Sequence, residues 1–389
     1  MTDLAILGGS PAFADGVPFV RPPAPPLDDV VARLAPTYRQ GAMTNGPLVR
    51  ELEATVAERL GVAHVLAVSS CTTGLMLAVA GLAHLGVIEG PVLMPSFTFS
   101  AGPHAVAWNG LPVVFAECDP LSFQLDLADA HTRLDGVGAI MATHVFGAPC
   151  RPEQVEALGA ERGIPVLFDA AHGFGGLRAG RPLGGFGEVE VFSMTPTKPL
   201  VAGEGGLVCT DRDALAEYVP LAREYGNPGD YDTRFIGLNG RLSEMHAAVA
   251  LASIDRIDEH LVTRRRLAAR YAQGILDIPG LRVQAIDEGD ESTFKDFTIA
   301  VDPAAYGVDR DTLVRVLRAE GVDTRNYFDP PVHRQRSHAQ RSPADLPVTD
   351  AVARTVVSLP IYPALDEASL DRIVEILAAV PAAADRLRA

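Results

Sequence analysis

The stretch FSMTPTK, residues 192–198, runs from an apolar segment into a loop that closes on GEGG, residues 203–206. Upstream, FDAAH (residues 168–172) ends a second apolar segment. Two neighbouring strands with these ends would deliver a carboxylate and a hydroxyl to the side of Lys198. A lysine amine forms a Schiff base with an aldehyde, a carboxylate pairs with a ring nitrogen, and a hydroxyl binds a phosphate. The combination predicts a site for pyridoxal phosphate (PLP).

Short apolar segments alternate with helical patterns through the first half of the chain. Strand-like segments lie at 65–68, 92–95, 112–118, 139–144, 164–169, 189–193 and 207–210. Helical patterns lie at 48–60, 74–85, 101–108 and 152–162. This alternation predicts an α/β fold with a large, mainly parallel sheet. Ligands of such sheets bind at the carboxyl ends of the strands, where the polar residues of this sequence cluster.

Three regions are predicted along the chain. Residues 1–30, rich in Gly and Pro, read as an extended arm without a core of its own, although helical periodicity begins near Leu27. Residues 31–255 form the large PLP-binding α/β domain. Residues 256–389 form a smaller α+β domain. A charged helical pattern at 243–276 spans their boundary, and its arginine run, residues 264–266, is typical of a solvated helix face.

Composition excludes several classes of protein. The 389 residues are 48% hydrophobic and carry a net charge of −16, which disfavours a general nucleic-acid or anionic-membrane surface. We see no signal peptide and no apolar run long enough to span a bilayer, so a cytoplasmic protein is expected. The four cysteines show no metal-binding spacing; we expect buried, reduced thiols and no metal site.

Other residues fit parts of the same cofactor. Asp169 would hold the pyridine nitrogen, with a helix cap or ion pair as the alternative. His172 would bond the ring hydroxyl or stack near it, or serve as a structural histidine. Thr72 and Thr73, in SSCTTG at a strand-to-helix junction, would bind the phosphate or merely cap the helix. Phe99 would lie against the ring or be an ordinary core aromatic.

Six motifs together resemble the DegT/DnrJ/EryC1/StrS family, the fold-type-I PLP-dependent aminotransferases of sugar biosynthesis. The motifs span nearly the whole chain: TNGP (44–47), HVFG (144–147), DAAH (169–172), S-x3-TK-x4-GEGG (193–206), GLNGRLSE (237–244) and SLPIYP (358–363). Cys71, Thr195 and Pro196 depart from the usual pattern without removing a required group.

The resemblance implies a role for each matching residue. Lys198 would form the internal aldimine and then shuttle the proton between the substrate carbon and the aldehyde carbon of the cofactor. Asp169 would contact the ring nitrogen and His172 the ring hydroxyl. The resemblance also implies the phosphate ligands Thr72, Thr73 and Ser193. Asn239 would reach the phosphate of the neighbouring subunit's cofactor, so that active sites are shared in an obligatory homodimer.

The implied reaction is transamination through PLP and pyridoxamine phosphate. Glutamate is the expected amino donor, and the expected acceptor is a nucleotide-linked keto-deoxysugar, specifically a dTDP-4-keto-6-deoxyhexose. Arg241, Tyr327 and His333 are predicted substrate contacts, with ion pairing or core packing as their alternatives.

Three alternatives stay open. The opening segment LAILGGSP, residues 4–11, is reminiscent of family members that aminate keto-cyclitols in aminoglycoside-type pathways. A pyridoxamine-phosphate-dependent sugar dehydratase is disfavoured, because those relatives carry histidine where this chain has Lys198. A PLP-binding regulator without turnover is disfavoured by the intact set of Asp169, His172 and Lys198.

Overall fold

The computed structural model describes residues 4–388. Its helices are α1 (Leu27–Arg39), α2 (Pro47–Leu60), α3 (Cys71–His84), α4 (Ala101–Trp108), α5 (Leu127–Thr132), α6 (Pro152–Ala160), α7 (Asp213–Ala222), α8 (Glu244–Ile254), α9 (Ile257–Ile275), α10 (Pro303–Tyr306), α11 (Arg310–Ala319), α12 (Pro347–Thr355), α13 (Glu367–Ala379) and α14 (Ala384–Arg388). Its strands are β1 (His64–Val68), β2 (Val92–Pro95), β3 (Val113–Ala116), β4 (Ala139–Thr143), β5 (Val166–Asp169), β6 (Leu177–Arg178), β7 (Arg181–Pro182), β8 (Val189–Ser193), β9 (Gly206–Thr210), β10 (Leu281–Val283), β11 (Phe297–Val301) and β12 (Val356–Leu359). Within this described part, no helix combines the length and apolar character needed to cross a membrane.

A seven-stranded sheet organises the larger lobe, in the order β1-β9-β8-β5-β4-β2-β3. The pairs β2–β3, β2–β4, β4–β5 and β5–β8 are parallel, whereas β9 runs antiparallel to both of its neighbours. The mainly parallel sheet predicted from the apolar segments is therefore confirmed. Both faces are covered: α2, α6 and α8 pack on one side, and α3, α4 and α7 on the other. Strands enclosed in this way need apolar residues on both faces, which explains their unbroken hydrophobic runs.

A three-stranded antiparallel sheet, β10-β11-β12, organises the smaller lobe. Helices α9, α11 and α13 pack with the sheet in one hydrophobic core. The N-terminal segment packs here too, since Leu4 and Val17 are buried in the same cluster. The carboxylate of Glu320 accepts hydrogen bonds from the backbone N–H groups of Ala5 (2.7 Å) and Ala12 (2.9 Å). Residues 1–3 of the predicted arm lie outside the described residues. The arm ends where α1 begins at Leu27.

The helical pattern predicted at 243–276 divides into α8 and α9. Helix α9 joins the lobes, because Ile257 belongs to the large core and Leu267 to the small one. The predicted solvated face is wrong at Arg264, which is 1% exposed. Its guanidinium donates to the carbonyls of Phe294 (3.1 Å) and Ile361 (3.0 Å). The positional pattern of charges did not distinguish an arginine that bonds buried carbonyls from one that faces water. All four cysteines are buried and unpaired, as predicted.

A buried glutamate ties two of the recognised motifs together. Glu244, fully buried, accepts hydrogen bonds from the N–H groups of Gly46 (2.8 Å), Leu48 (2.9 Å) and Val49 (3.1 Å). These N–H groups lie at the start of α2, where the helix itself provides no acceptor. A negative charge there also complements the helix dipole. A Cβ at Gly46 would lie 2.8 Å from the Glu244 carboxyl carbon, so glycine is required. The glutamate of GLNGRLSE is thus a helix cap.

Replacing Glu244 tests this cap. Glu244→Ala leaves three buried N–H groups without partners and should lower the free energy of unfolding by about 2–5 kcal/mol. Glu217→Ala is the matched control, because Glu217 is exposed on α7 and should change stability by less than about 0.5 kcal/mol. Urea unfolding of both variants measures the difference. Equal stability of the two variants would contradict the assignment.

Candidate active site

A cavity of about 350 Å³ opens at the carboxyl edge of the parallel strands. Four of its lining residues lie at or just past the ends of β2, β4, β5 and β8: Thr98, Thr143, Asp169 and Ser193. Residues near the small-lobe sheet close the other side. Cavities of this size hold small molecules. The topology therefore gathers side chains that are far apart in sequence around one ligand-sized space.

Lys198 reaches this cavity from the loop after β8. The loop is held by its own backbone: Lys198 N donates to Thr195 O (3.0 Å), Met194 N donates to Gly205 O (2.9 Å), and Ala202 N donates to Met194 O (2.8 Å). The closure on residues 203–206 that the sequence suggests is therefore present. Burial, and next the positive charge of Lys295, lower the pKa of Lys198 to about 8. Its amine is a nucleophile only when deprotonated, so the lowered pKa increases the reactive fraction near neutral pH.

Asp169 ends β5 and lines the same cavity. Its Oδ1 accepts a hydrogen bond from Ala171 N (3.0 Å). Its Oδ2 has no hydrogen-bond partner among residues 4–388. Burial raises the pKa of this carboxyl, against the opposing effects of the Ala171 N–H and of the Lys198 charge. A cationic ring nitrogen in the cavity would satisfy the free oxygen and stabilise the charged carboxylate.

His172 lies three residues further on and is buried. Its Nδ1 accepts a hydrogen bond from Phe146 N (3.2 Å). A ring nitrogen that accepts carries no proton, so the neutral imidazole carries its proton on Nε2. Burial, followed by the charges of Lys198 and Lys295, holds the pKa of His172 well below its usual range. His172 is thus a neutral donor, suited to an anionic oxygen on a bound ligand.

The amino end of α3 provides an anion site beside these residues. Ser70 caps the helix by accepting from Thr73 N (3.1 Å), and Thr72 lines the cavity. The Thr73 hydroxyl bonds the hydroxyls of Ser69 and Ser70 and lies outside the lining. The first N–H groups of a helix attract phosphate.

The remaining predicted residues divide into two groups. Phe99, 60% exposed, and Tyr327 line the cavity. The others lie outside it: Asn239 is exposed, Arg241 pairs with Glu224 (2.8 Å), and His333 is 2% exposed. The structure does not bring these three to the cavity of their own chain.

A charged pair in the cavity was missed from the sequence. Lys295 and Asp296 directly precede β11 and form a buried ion pair, with 2.7 Å between Nζ and Oδ1. The available signal was a pair of adjacent opposite charges directly before an apolar strand. It was missed because only Tyr327 and His333 were considered as site residues in the small lobe.

The residues present fit PLP. The free Oδ2 of the buried Asp169, the neutral donor His172, the amine of Lys198 and the α3 terminus match the ring nitrogen, ring oxygen, aldehyde and phosphate. Within residues 4–388, no group of three or more His, Cys, Asp or Glu side chains is arranged to hold a metal ion.

Known proteins resemble the chain over nearly its full length. Residues 28–378 match the DegT/DnrJ/EryC1/StrS aminotransferase family model. The UDP-N-acetyl-3-dehydro-alpha-D-glucosamine 3-aminotransferase of Acidithiobacillus ferrooxidans is 31% identical, covering 91% of this chain and 94% of that protein. GDP-perosamine synthase of Caulobacter vibrioides is 30% identical, covering 85% and 90%.

Solved structures agree with these sequence relatives. DesI, solved in the presence of its TDP-sugar product, superposes with a TM-score of 0.92 at 35% identity, covering 99% of this chain and 98% of DesI. A Bacillus cereus protein described as a PLP-dependent aminotransferase superposes with a TM-score of 0.86 at 25% identity, covering 93% and 100%. The chain therefore belongs to the DegT/DnrJ/EryC1/StrS family and is a PLP-dependent aminotransferase.

Proposed function

We propose that this enzyme moves an amino group from glutamate to a nucleotide-linked keto-deoxysugar, specifically a dTDP-4-keto-6-deoxyhexose. The observation that carries the transfer chemistry is one cavity that holds the amine of Lys198 and the buried carboxylate of Asp169. The acceptor class is supported by the relatives, whose names specify UDP-, GDP- and dTDP-linked sugars. The nucleotide follows DesI, which was solved with a TDP-sugar product.

PLP, when bound, supplies an aldehyde for the amine and a ring that accepts electrons during proton removal. Asp169 keeps the ring nitrogen protonated through its free Oδ2. His172 donates from Nε2 to the ring oxygen, because its Nδ1 is already occupied by Phe146 N. Both side chains are buried, which excludes water from these contacts.

Lys198 acts as the base of both half-reactions. Its Nζ moves the proton that leaves the carbon bearing the amine, which requires the neutral amine that the lowered pKa provides. Thr72 and Ser193 bind the phosphate with the N–H groups of α3, and Thr73 supports the turn through Ser70. Phe99 lies against the ring, and Tyr327 contacts the sugar. The lining of the cavity, which includes Thr72, Ser193, Phe99 and Tyr327, supports these assignments.

We place the active sites at the interface of a homodimer. Tyr231 (95% exposed) and Ile236 (96%) lie in the loop that leads to Asn239. Large exposed apolar side chains of this kind mark contact surfaces. The exposed Asn239 would reach the phosphate bound in the partner subunit, and Arg241 lies on the same segment. In this arrangement Asn239 of the GLNGRLSE motif contributes to the active site of the partner subunit, although it does not line the cavity of its own chain.

An acceptor panel tests the substrate. The holoenzyme with glutamate should aminate a dTDP-4-keto-6-deoxyhexose at least about tenfold faster than the 3-keto isomer or a keto-cyclitol, because binding differences of about 1.4 kcal/mol have that effect. Product amine and 2-oxoglutarate are measured together. Lys198→Ala is the control without covalent PLP or visible absorbance, and turnover by it would contradict the mechanism. A faster cyclitol reaction would replace the proposed acceptor.

The pH dependence of PLP attachment tests the lowered pKa of Lys198. Attachment to the apoenzyme, followed by visible absorbance, needs the neutral amine. Its rate should rise about tenfold per pH unit and level off near pH 8. The same reaction with free N-α-acetyl-lysine, measured in parallel, should keep rising to about pH 10, because its amine has the ordinary lysine pKa of about 10.4. An apoenzyme rate that rises in parallel with it to pH 10 would show an ordinary lysine.

Mixed dimers test the shared active site. In a heterodimer of Lys198→Ala and Asn239→Ala subunits, both substitutions fall in the same shared site, so the other site stays intact. Equal mixing after subunit exchange should restore about a quarter of wild-type activity. Mixing Lys198→Ala with Asp169→Asn is the control, because those two residues act in the same subunit and no intact site forms. If the mixture of Lys198→Ala and Asn239→Ala also shows no recovery, Asn239 acts in its own subunit's site.

A further inference from the structure

The chain contains only two lysines, and both line the active-site cavity. Of its 33 Lys and Arg residues, Lys198 and Lys295 are the lysines and the rest are arginines. No arginine lines the cavity in the described part of the chain. A lysine carries a compact ammonium, whereas an arginine carries a wide planar fork. The exclusive use of lysine at this place suggests that Lys295 has a task in the cavity besides pairing with its neighbour.

The ammonium of Lys295 has N–H donors that are not used in hydrogen bonds. Its side chain is 5% exposed, and Nζ donates to Asp296 Oδ1 at 2.7 Å. An ammonium has three N–H donors, so two are left without a hydrogen-bond acceptor among residues 4–388. The Tyr327 ring centroid lies 5.4 Å from Nζ and the Phe19 centroid 6.0 Å away. These rings favour a cation but accept no strong hydrogen bond. A buried ammonium with two unused N–H donors favours the binding of an anion.

Two buried cations lie around the carboxylate next to Lys295, and the carboxylates of Asp169 and Glu204 also line the cavity. Asp296 interacts with Lys295 and also with the buried Arg264, whose charge it stabilises. Two cations thus share one carboxylate, although the chain as a whole carries −16. Attraction of an anion to this cavity has to come from such a local cluster, because the overall field opposes it.

The position of Lys295 indicates which anion it meets. Lys295 N donates to Thr293 Oγ1 (3.2 Å), and Thr293 Oγ1 donates to the carbonyl of His172 (2.7 Å). This chain of bonds fixes Lys295 beside the end of the cavity that holds His172 and Lys198. The phosphate site at the start of α3 is a separate group of residues. Lys295 therefore lies near the reacting amine.

The amino donor has an anion at that position. An α-amino acid carries its carboxylate on the same carbon as the reacting amine, whereas the diphosphate of a nucleotide sugar lies beyond the sugar ring. We propose that Lys295 binds the α-carboxylate of the amino donor and thereby selects α-amino acids in the first half-reaction. The assignment rests on the proposed function of the cavity.

The test compares two donors that differ in this one group. L-Glutamate and 4-aminobutyrate are mixed separately with the PLP form of wild type and Lys295→Met, and spectral changes give each dissociation constant. Lys295→Met should weaken glutamate about 10- to 100-fold and 4-aminobutyrate by less than about threefold. Glutarate keeps both carboxylates of glutamate but lacks the amine, so it binds without reacting and reports on the site independently of turnover. Its affinity should fall in Lys295→Met together with that of glutamate. Lys295→Arg, which keeps the charge, should recover most of the preference for glutamate.

Three outcomes would overturn the proposal. An equal loss for both amines, together with a loss of stability of Lys295→Met in urea unfolding, would make the Lys295–Asp296 pair a structural contact. A loss confined to the keto-sugar half-reaction of the pyridoxamine form would assign Lys295 to the acceptor. If the PLP form of the wild type shows no spectral change with glutamate, glutamate is not the amino donor. Failure of every keto-sugar in the acceptor panel would overturn the proposed function alone, since the donor comparison does not use an acceptor.

Discussion

The alignment of the parallel strands β2, β4, β5 and β8 is the constraint on which the site depends. Parallel strands end at the same edge of a sheet, and hydrogen bonding fixes their register, with Thr143 opposite Asp169 and Asp169 opposite Val191. A side chain at one strand end therefore cannot shift without breaking bonds in its neighbours. The helices on both faces hold the sheet in place. The geometry around Asp169 and Ser193 is in this sense a property of the whole large lobe.

Burial at this edge changes the chemistry of the groups placed there. The pKa of Lys198 falls to about 8, that of His172 falls well below its usual range, and that of Asp169 rises. Each shift is led by desolvation, which disfavours the charged form. A neutral amine and a neutral imidazole are then available near neutral pH, whereas the carboxyl gains most from a cationic partner. Residues that are unexceptional in sequence become a nucleophile, a donor and a counter-ion because of one shared environment.

The large-lobe side of the cavity was predictable, whereas on the small-lobe side only Tyr327 was predicted, for a physical reason. Buried parallel strands leave a strong sequence signal, and the polar residues after them lie at the site by topology alone; Asp169 and Lys198 were found in this way. Lys295 sits before an antiparallel strand of another sheet, so its place in the cavity depends on how the two lobes pack. Arg264 was misjudged because a helical pattern does not show which carbonyls a long side chain can reach. The predicted contact His333 is instead held by Ser96, at 2.7 Å.

The two lobes therefore carry different parts of the reaction. Every residue assigned to the ring and phosphate of the cofactor comes from the large lobe, where the sheet leaves little freedom. Lys295 and Tyr327, which line the other side of the cavity, come from residues associated with the small-lobe sheet. A substitution there can change which donor or sugar is bound while the cofactor contacts stay intact. This division explains why the motifs around Lys198 identify PLP and transamination, yet contain little information about the sugar.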